Sequence, residues 1–359
     1  MPSQREMQHA YLHSDATYDG VFFVAVRTTG VFCRPSCSAR KPKPENVEFF
    51  ATPHDALLGG YRPCKRCHPL EQAGRPPHWV EQLLAAVERA PEARLRDADL
   101  RAMAIDPARA RRHFKRHYGM TFQAYQRARR LGAALKHIHQ GAGLLDVAMQ
   151  HGYDSNSGFR EAFERTFGQP PGRCRHTECI VTQTVPSPLG PVILCATPRA
   201  VCMVEFTDRR ALDAQIVALR RHFGLTVVPG TNEHLAQVKT ELEEYFAGTR
   251  QAFTVPLDYP GTAFQHEVWD QLREIPYAQT ISYAELARRV GRPKAQRAVG
   301  TANGQNRLGI VVPCHRVVNC NGQLGGYGGG LWRKQFLLDL ETRVAAAPTS
   351  SRGKSASRT

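Results

Sequence analysis

Cys314 and His315 stand side by side in Val312-Pro313-Cys314-His315-Arg316. A cysteine thiol is mostly protonated near neutral pH, so a sulfur nucleophile needs a base or cation close by to favour its anion. The pair has that composition, although two adjacent core residues would read the same way. A second constellation lies far upstream. Cys33 and Cys37 form one close pair and Cys64 and Cys67 another, with 26 residues between the pairs. Thiolates are soft ligands, and two close pairs separated by a folded loop can complete a tetrahedral four-cysteine zinc site. Taken alone, the spacing also suits a purely structural zinc knuckle. Ten cysteines without a secretion signal do not read as a disulfide framework. Cys174, Cys179, Cys195, Cys202 and Cys320 read as incidental or core residues.

Positioning these groups takes more than one core, as a chain of 359 residues suggests. Two seams have linker composition, Glu71-Gln72-Ala73-Gly74-Arg75-Pro76-Pro77 and Gln169-Pro170-Pro171-Gly172-Arg173. They divide the chain into residues 1–74, 75–174 and a third block, itself split into 180–260 and 261–343. A small, polar and basic stretch, 344–359, is expected to be disordered. The expected fold class is multidomain α/β. It comprises a small α+β module around the four cysteines, an all-α domain, and an α/β cap leading into a helical subdomain. Strand-like segments at 191–196 and 201–206 and helical ones at 212–223 and 235–246 supply the cap.

Basic residues exceed acidic ones by 16, and between Arg75 and Arg175 there are 18 Lys/Arg against 10 Asp/Glu. Such a balance points to a polyanion, nucleic acid before an anionic membrane. No apolar run approaches the roughly 20 residues of a membrane span. The chain is therefore expected to be soluble and cytoplasmic.

In the middle block, Asp99 to Asp106 followed by Pro107 to Tyr118 reads as helix, tight turn, helix, with Asp106 as N-cap and Pro107 at the first helical position. A long helix from Tyr125 to His139 leads to a second such unit, Leu144–His151, Gly152-Tyr153-Asp154-Ser155 and Asn156–Phe167. Phe159, Phe163 and Phe167 recur every four residues and give the last helix an apolar face. A plain helical bundle would share that periodicity.

Longer motifs carry three resemblances. Phe22 to Cys37, with Gly60-Tyr61-Arg62-Pro63-Cys64-Lys65-Arg66-Cys67, resembles the N-terminal zinc module of the Ada family. That resemblance implies one zinc on Cys33, Cys37, Cys64 and Cys67, and makes Cys33 the acceptor of methyl groups from DNA phosphotriesters. Gly152 to Pro171 resembles the second helix-turn-helix of AraC-family regulators. It implies that Arg109, Arg111 and Arg112 on one recognition helix, and Ser155, Asn156, Ser157 and Arg160 on the other, meet double-stranded DNA. Ala104 stands where that family usually has a turn glycine.

The Cys314 motif belongs to a third set. Gly261 to Gln265, Val268-Trp269, Ile275-Pro276-Tyr277, Ser282-Tyr283-Ala284, Arg297 to Gly300, Ala302-Asn303-Gly304 and Gly325-Gly326-Tyr327 fall in order. Together they resemble the O6-alkylguanine-DNA alkyltransferases. The resemblance implies that Cys314 accepts the alkyl group once, with His315 acting through a water and Glu341 orienting the histidine. It assigns Asn306 to bracing the active-site loop, Arg297 to filling the stack of an extruded base and Tyr283 to rotating the nucleotide. Val317 and Gly328 match backbone positions that contact the guanine. Arg307 replaces a usual proline and implies a less rigid loop; Ala278 replaces a common glycine.

The leading reading is a two-site, single-use alkyl acceptor coupled to transcription, a monomer with RNA polymerase as downstream partner. A regulator with a decayed repair block, and a repair protein with a non-specific helical clamp, are the alternatives. The intact Cys314, His315 and Glu341 argue against the first.

Overall fold

The structure is a computed structural model and describes residues 1–15, 18–70, 77–118, 120–174, 177–209 and 211–346. Most of the first linker and the tail beyond Ala346 therefore lie outside the described residues.

The N-terminal module begins with α1 (Gln4–Leu12), capped by the Ser3 hydroxyl. Four short strands follow, β1 (Phe23–Val26), β2 (Val31–Cys33), β3 (Val47–Phe50) and β4 (Arg62–Pro63), with α2 (Pro53–Leu58) between the last two. They form one sheet in the order β3-β1-β2-β4, antiparallel except for β2 with β4. The parallel β2–β4 pairing sets Phe32 opposite Pro63 and so brings Cys33 beside Cys64.

The helical domain contains α3 (His78–Arg89), α4 (Asp97–Ala102), α5 (Pro107–His117), α6 (Phe122–His139), α7 (Leu144–Gln150) and α8 (Asn156–Phe167). Asp106 accepts from the Ala108 N–H, and Pro107 opens α5, as its sequence suggests. Leu83, Leu100, Phe114 and Phe122 are buried in one core, and Leu131, Leu135, Phe159 and Phe163 in another. Each helix-turn-helix unit thus has its own apolar centre.

The cap contains β5 (Cys179–Val185), β6 (Val192–Ala196), β7 (Val201–Phe206), α9 (Leu212–Phe223), β8 (Thr226–Pro229) and α10 (Glu233–Ala247), with sheet order β7-β6-β5-β8. The edge strand β8 is covered by α6. Val228 is buried in the core of the second helix-turn-helix unit, and Thr226 Oγ1 donates to the Thr166 carbonyl at 3.2 Å. A side chain at Gly132 on α6 would come within 3.2 Å of Val228. Covering an edge in this way removes a template for unwanted strand pairing.

The last subdomain holds α11 (Ala263–Arg273), β9 (Ile281–Ser282), α12 (Tyr283–Arg289), α13 (Gln296–Gly304), β10 (Val317–Val318) and α14 (Leu331–Ala346). The sequence suggested that residues 344–346 open a disordered tail, but they complete α14. Val344 packs on the large shared core, against the end of α10 at Gly248. That apolar contact keeps the final turn helical.

Candidate active sites and metal centre

Cys314 lies in a 3₁₀ turn, Cys314–Arg316, between the Asn306 loop and β10. It is buried, with 6% of its surface exposed. Asn306 Nδ2 donates to Cys314 Sγ at 3.1 Å and to the Val312 carbonyl at 2.8 Å, while Asn306 Oδ1 accepts from the Leu308 N–H at 2.9 Å. The amide orientation is therefore fixed from three sides. Ile310 in the same loop has φ of 71°. For a β-branched residue that is a strained conformation, held here by the buried loop around it. Arg307 does not leave this loop slack. Its Nη1 donates to the Pro260 carbonyl, and its own carbonyl accepts from the Val204 N–H at 2.8 Å.

His315 is fully buried, and its Nε2 lies 2.9 Å from Glu341 Oε1 on α14. Its other ring nitrogen, Nδ1, is buried with no hydrogen-bond partner among the described residues. Glu341 also binds Arg316, with Nη2 to Oε1 at 2.9 Å and Nε to Oε2 at 3.0 Å. The Tyr245 hydroxyl donates to Oε1 at 2.8 Å and the Ala278 N–H to Oε2 at 3.0 Å. Burial would raise the Glu341 carboxyl, but His315 and Arg316 outweigh it and hold it down at about 2. Burial lowers His315 more than Glu341 raises it, so the imidazole is neutral.

Burial likewise pushes the Cys314 thiol up, and Asn306, Arg209 and Lys334 oppose that rise. Lys334 is fully buried, and burial pulls its ammonium down to about 8. It donates to the carbonyls of Val317 (2.5 Å) and Gly325 (3.3 Å). Sequence reasoning about the site missed Lys334 and Arg316. A signal existed for Lys334: it precedes Glu341 by seven residues, two turns of one helix face shared with Leu337.

Around this centre, Tyr283 is half-buried at the start of α12, and its hydroxyl donates to the Gly326 carbonyl at 3.3 Å. Arg297 is exposed in the first turn of α13. Val317 is buried on β10, and Gly328 is exposed in the glycine-rich loop before α14.

In the N-terminal module the sulfurs of Cys33, Cys37, Cys64 and Cys67 all lie within 4.8 Å of one another. A tetrahedral zinc with bonds of about 2.3 Å needs sulfurs somewhat under 4 Å apart, so this cluster fits one ion with little adjustment. The backbone N–H groups of Arg34 and Arg66 point at Cys67 Sγ (3.3 Å) and Cys64 Sγ (3.4 Å), contacts that favour ionised sulfur. Lys41 sits beside them, donating to the carbonyls of Pro35 and Cys37.

Among the helix-turn-helix positions, Arg109, Arg111, Arg112, Asn156, Ser157 and Arg160 are exposed. Arg109 lies over Trp79, Arg111 pairs with Asp97 and Arg160 with Glu164. Ser155 is the N-cap of α8, where its hydroxyl accepts from the Gly158 N–H. No helix among the described residues is long and apolar enough to cross a membrane.

A buried thiol bonded to Asn306 and next in sequence to a histidine–carboxylate pair, a four-cysteine cluster that fits a metal, and two helix-turn-helix units mark a multidomain DNA-directed group-transfer protein. Family descriptions match each part: the metal binding domain of Ada over 6–70, a helix-turn-helix domain over 100–177, and the ribonuclease-like and DNA binding domains of 6-O-methylguanine DNA methyltransferase over 180–259 and 263–343. The bifunctional transcriptional activator/DNA repair enzyme Ada of Escherichia coli is 35% identical over 342 residues, covering 92% of this chain and 94% of that protein. A methylated-DNA–protein-cysteine methyltransferase of Mycobacterium tuberculosis is 43% identical over 46% of this chain and 94% of its own. The solved structure of M. tuberculosis OGT in complex with DNA has a TM-score of 0.41 and 39% identity, covering 46% of this chain and 94% of that one. The chain belongs to the Ada family.

Proposed function

We propose that this protein takes alkyl groups from DNA onto two of its own cysteines and uses one of those events to switch transcription. The observation that carries the reading is the buried Cys314 sulfur, bonded to Asn306 and flanked by the His315–Glu341–Arg316 network.

At Cys314 the sulfur attacks the alkyl carbon on guanine O6 (or thymine O4). A carbon–sulfur bond forms, the carbon–oxygen bond breaks, and the electron pair returns to the base, which takes up one proton. His315 accepts the thiol proton, and its buried Nδ1 is the nitrogen free to do so through a water. Glu341 keeps the ring oriented and stabilises it once charged. A thioether is a poor leaving group, so each chain reacts once. Because the O6 atom is out of reach inside a duplex, the base must be extruded; Arg297 fills the gap, Tyr283 guides the nucleotide, and Val317 and Gly328 offer backbone to the guanine.

At the other end, Cys33 takes a methyl group from a phosphotriester, leaving a phosphodiester anion. Zinc, when bound, keeps the four sulfurs ionised at neutral pH. Arg109, Arg111, Arg112, Ser155, Asn156, Ser157 and Arg160 contact operator DNA. RNA polymerase is the downstream partner, and the protein acts as a monomer at the cytoplasmic nucleoid.

Peptide mapping by mass spectrometry after incubation with methylated duplex tests the reading. Methyl is expected on Cys314 and Cys33 alone; a chain that gains no mass is a regulator without repair activity.

A further inference from the structure

Arg209 reaches from the cap into the active-site subdomain. Its Nη2 donates to the Gly304 carbonyl at 2.6 Å, and its Nη1 to the Asn306 carbonyl at 3.3 Å and to Glu205. Gly304 ends α13, so the guanidinium supplies the cation that a helix C-terminus favours. Asn306 is the residue whose amide is bonded to Cys314 Sγ. Glu205 is 2% exposed and is held in turn by the Phe206 N–H and Gln215 Nε2. The neighbouring Val204 pairs with both Arg307 and Gly309, on either side of Leu308. The guanidinium also lies over Gly328: a Cβ there would come within 2.6 Å of it.

Resting on the Cys314 reading above, we propose that Arg209, anchored by Glu205, is a positioning residue for alkyl transfer, clamping the Asn306 loop and the Gly328 backbone around the sulfur. The clamp acts in two ways. Geometrically, it fixes the carbonyls that bracket Asn306, so that the amide stays aimed at Cys314. Electrostatically, it brings a cation from the cap to a thiol that burial otherwise disfavours as an anion, while Glu205 tempers that cation. Among the described residues, the other charged or titratable groups around the sulfur are Lys334 and Glu341 on α14, His315 and Arg316 in its own turn, Tyr283 on α12 and Tyr327 in the glycine loop. Arg209 and Glu205 are the cap's contribution on the Asn306 side of the sulfur, as the Tyr245 hydroxyl of α10 is on the Glu341 side.

Single-turnover transfer from a methylated-guanine duplex, followed against pH in the full chain, tests the clamp. In Arg209→Gln the pH midpoint for Cys314 rises and the rate at neutral pH falls about tenfold, the loss of thiolate that a midpoint higher by one on the pH scale produces. In Glu205→Gln the midpoint moves down. Opposite movements separate the clamp from simple loosening, which would move both variants the same way. Unchanged midpoints, or movements of the same sign, overturn the proposal. If Arg209→Gln does not fold, Arg209→Lys keeps the cation but loses the fork. Its rate then falls at a near-native midpoint, and a wild-type rate sinks the idea. Wild-type protein that transfers nothing would instead overturn the reading of Cys314 itself.

Discussion

Glu341 Oε1 lies 2.9 Å from His315 Nε2, and both side chains are fully buried. The same carboxylate accepts from Arg316, so its charge is balanced by a guanidinium even while the histidine is neutral. Orienting a base beside a nucleophile therefore does not depend on protonating it first.

Replacing this carboxylate is expected to harm folding and transfer together. Glu341→Gln leaves Arg316 buried without its counter-ion, a change that costs about 3–5 kcal/mol, and releases the His315 ring. Chemical denaturation and single-turnover transfer on the same preparation check this. A variant of native stability that still transfers at the native rate would remove the network from the mechanism.

Acid should dismantle the site in a definite order. Burial holds His315 below its ordinary value, and its partners hold Glu341 at about 2 against 4.5. Both groups bind protons more readily when unfolded, so both contribute stability that is full at high pH and declines as pH falls. The decline begins near the ordinary histidine value of about 6.5 and deepens below about 4.5, the ordinary carboxylate value, as the unfolded chain takes up the Glu341 proton. Thermal midpoints measured from pH 8 to pH 3 should drop through both windows; a midpoint independent of pH would contradict the assignment.

Two alanines occupy left-handed turns. Ala104 has φ of 57° and Ala278 of 60°, the two positions where resemblance to known families led us to expect glycine. A left-handed alanine costs about 1–2 kcal/mol, and glycine loses part of that gain through its freer unfolded chain. Ala104→Gly and Ala278→Gly are each expected to stabilise their domain by about 0.5–1 kcal/mol, read as a higher denaturation midpoint.

Local chemistry was the legible part of this chain. Each pair of cysteines, the Asp106 cap with Pro107, and the Phe159–Phe163–Phe167 stripe are close in sequence, and each folds as its spacing implies. The motif around Cys314 pointed to its histidine, and resemblance supplied Glu341. What escaped was set by distant chain segments. Arg209 meets Gly304 across 95 residues and Arg316 meets Glu341 across 25, and no periodicity announces such pairs. Strand β8 is only four residues long, and its burial depends on α6 of another domain. Tertiary docking, invisible to a local pattern, makes it a strand.

Methylation of Cys33 should tighten operator binding. Four thiolates around one zinc carry a net charge of −2, and one methyl reduces it to −1 beside the DNA phosphates. One charge a few ångströms from a phosphate is worth on the order of 1–4 kcal/mol, according to screening. Affinity of methylated and unmethylated protein for operator DNA, measured at matched salt, should differ in that direction and converge as salt rises. Equal affinities at low salt would rule the charge switch out.

The α6–β8 contact predicts that the helical domain and the alkyltransferase block stabilise each other. Val228 is fully buried between them and backed by Leu131 and Leu135. Val228→Asp places an unpaired carboxylate in that seam, at a cost of at least about 2–3 kcal/mol, and exposes the edge strand. Limited proteolysis should then cut between the two blocks, near residues 174–179, at protease levels that leave the native chain whole. Denaturation should also split into two transitions, because each half retains its own core. If the variant keeps native protease resistance and a single native transition, the two blocks are merely adjacent, and repair and operator binding have no shared packing through which to influence each other.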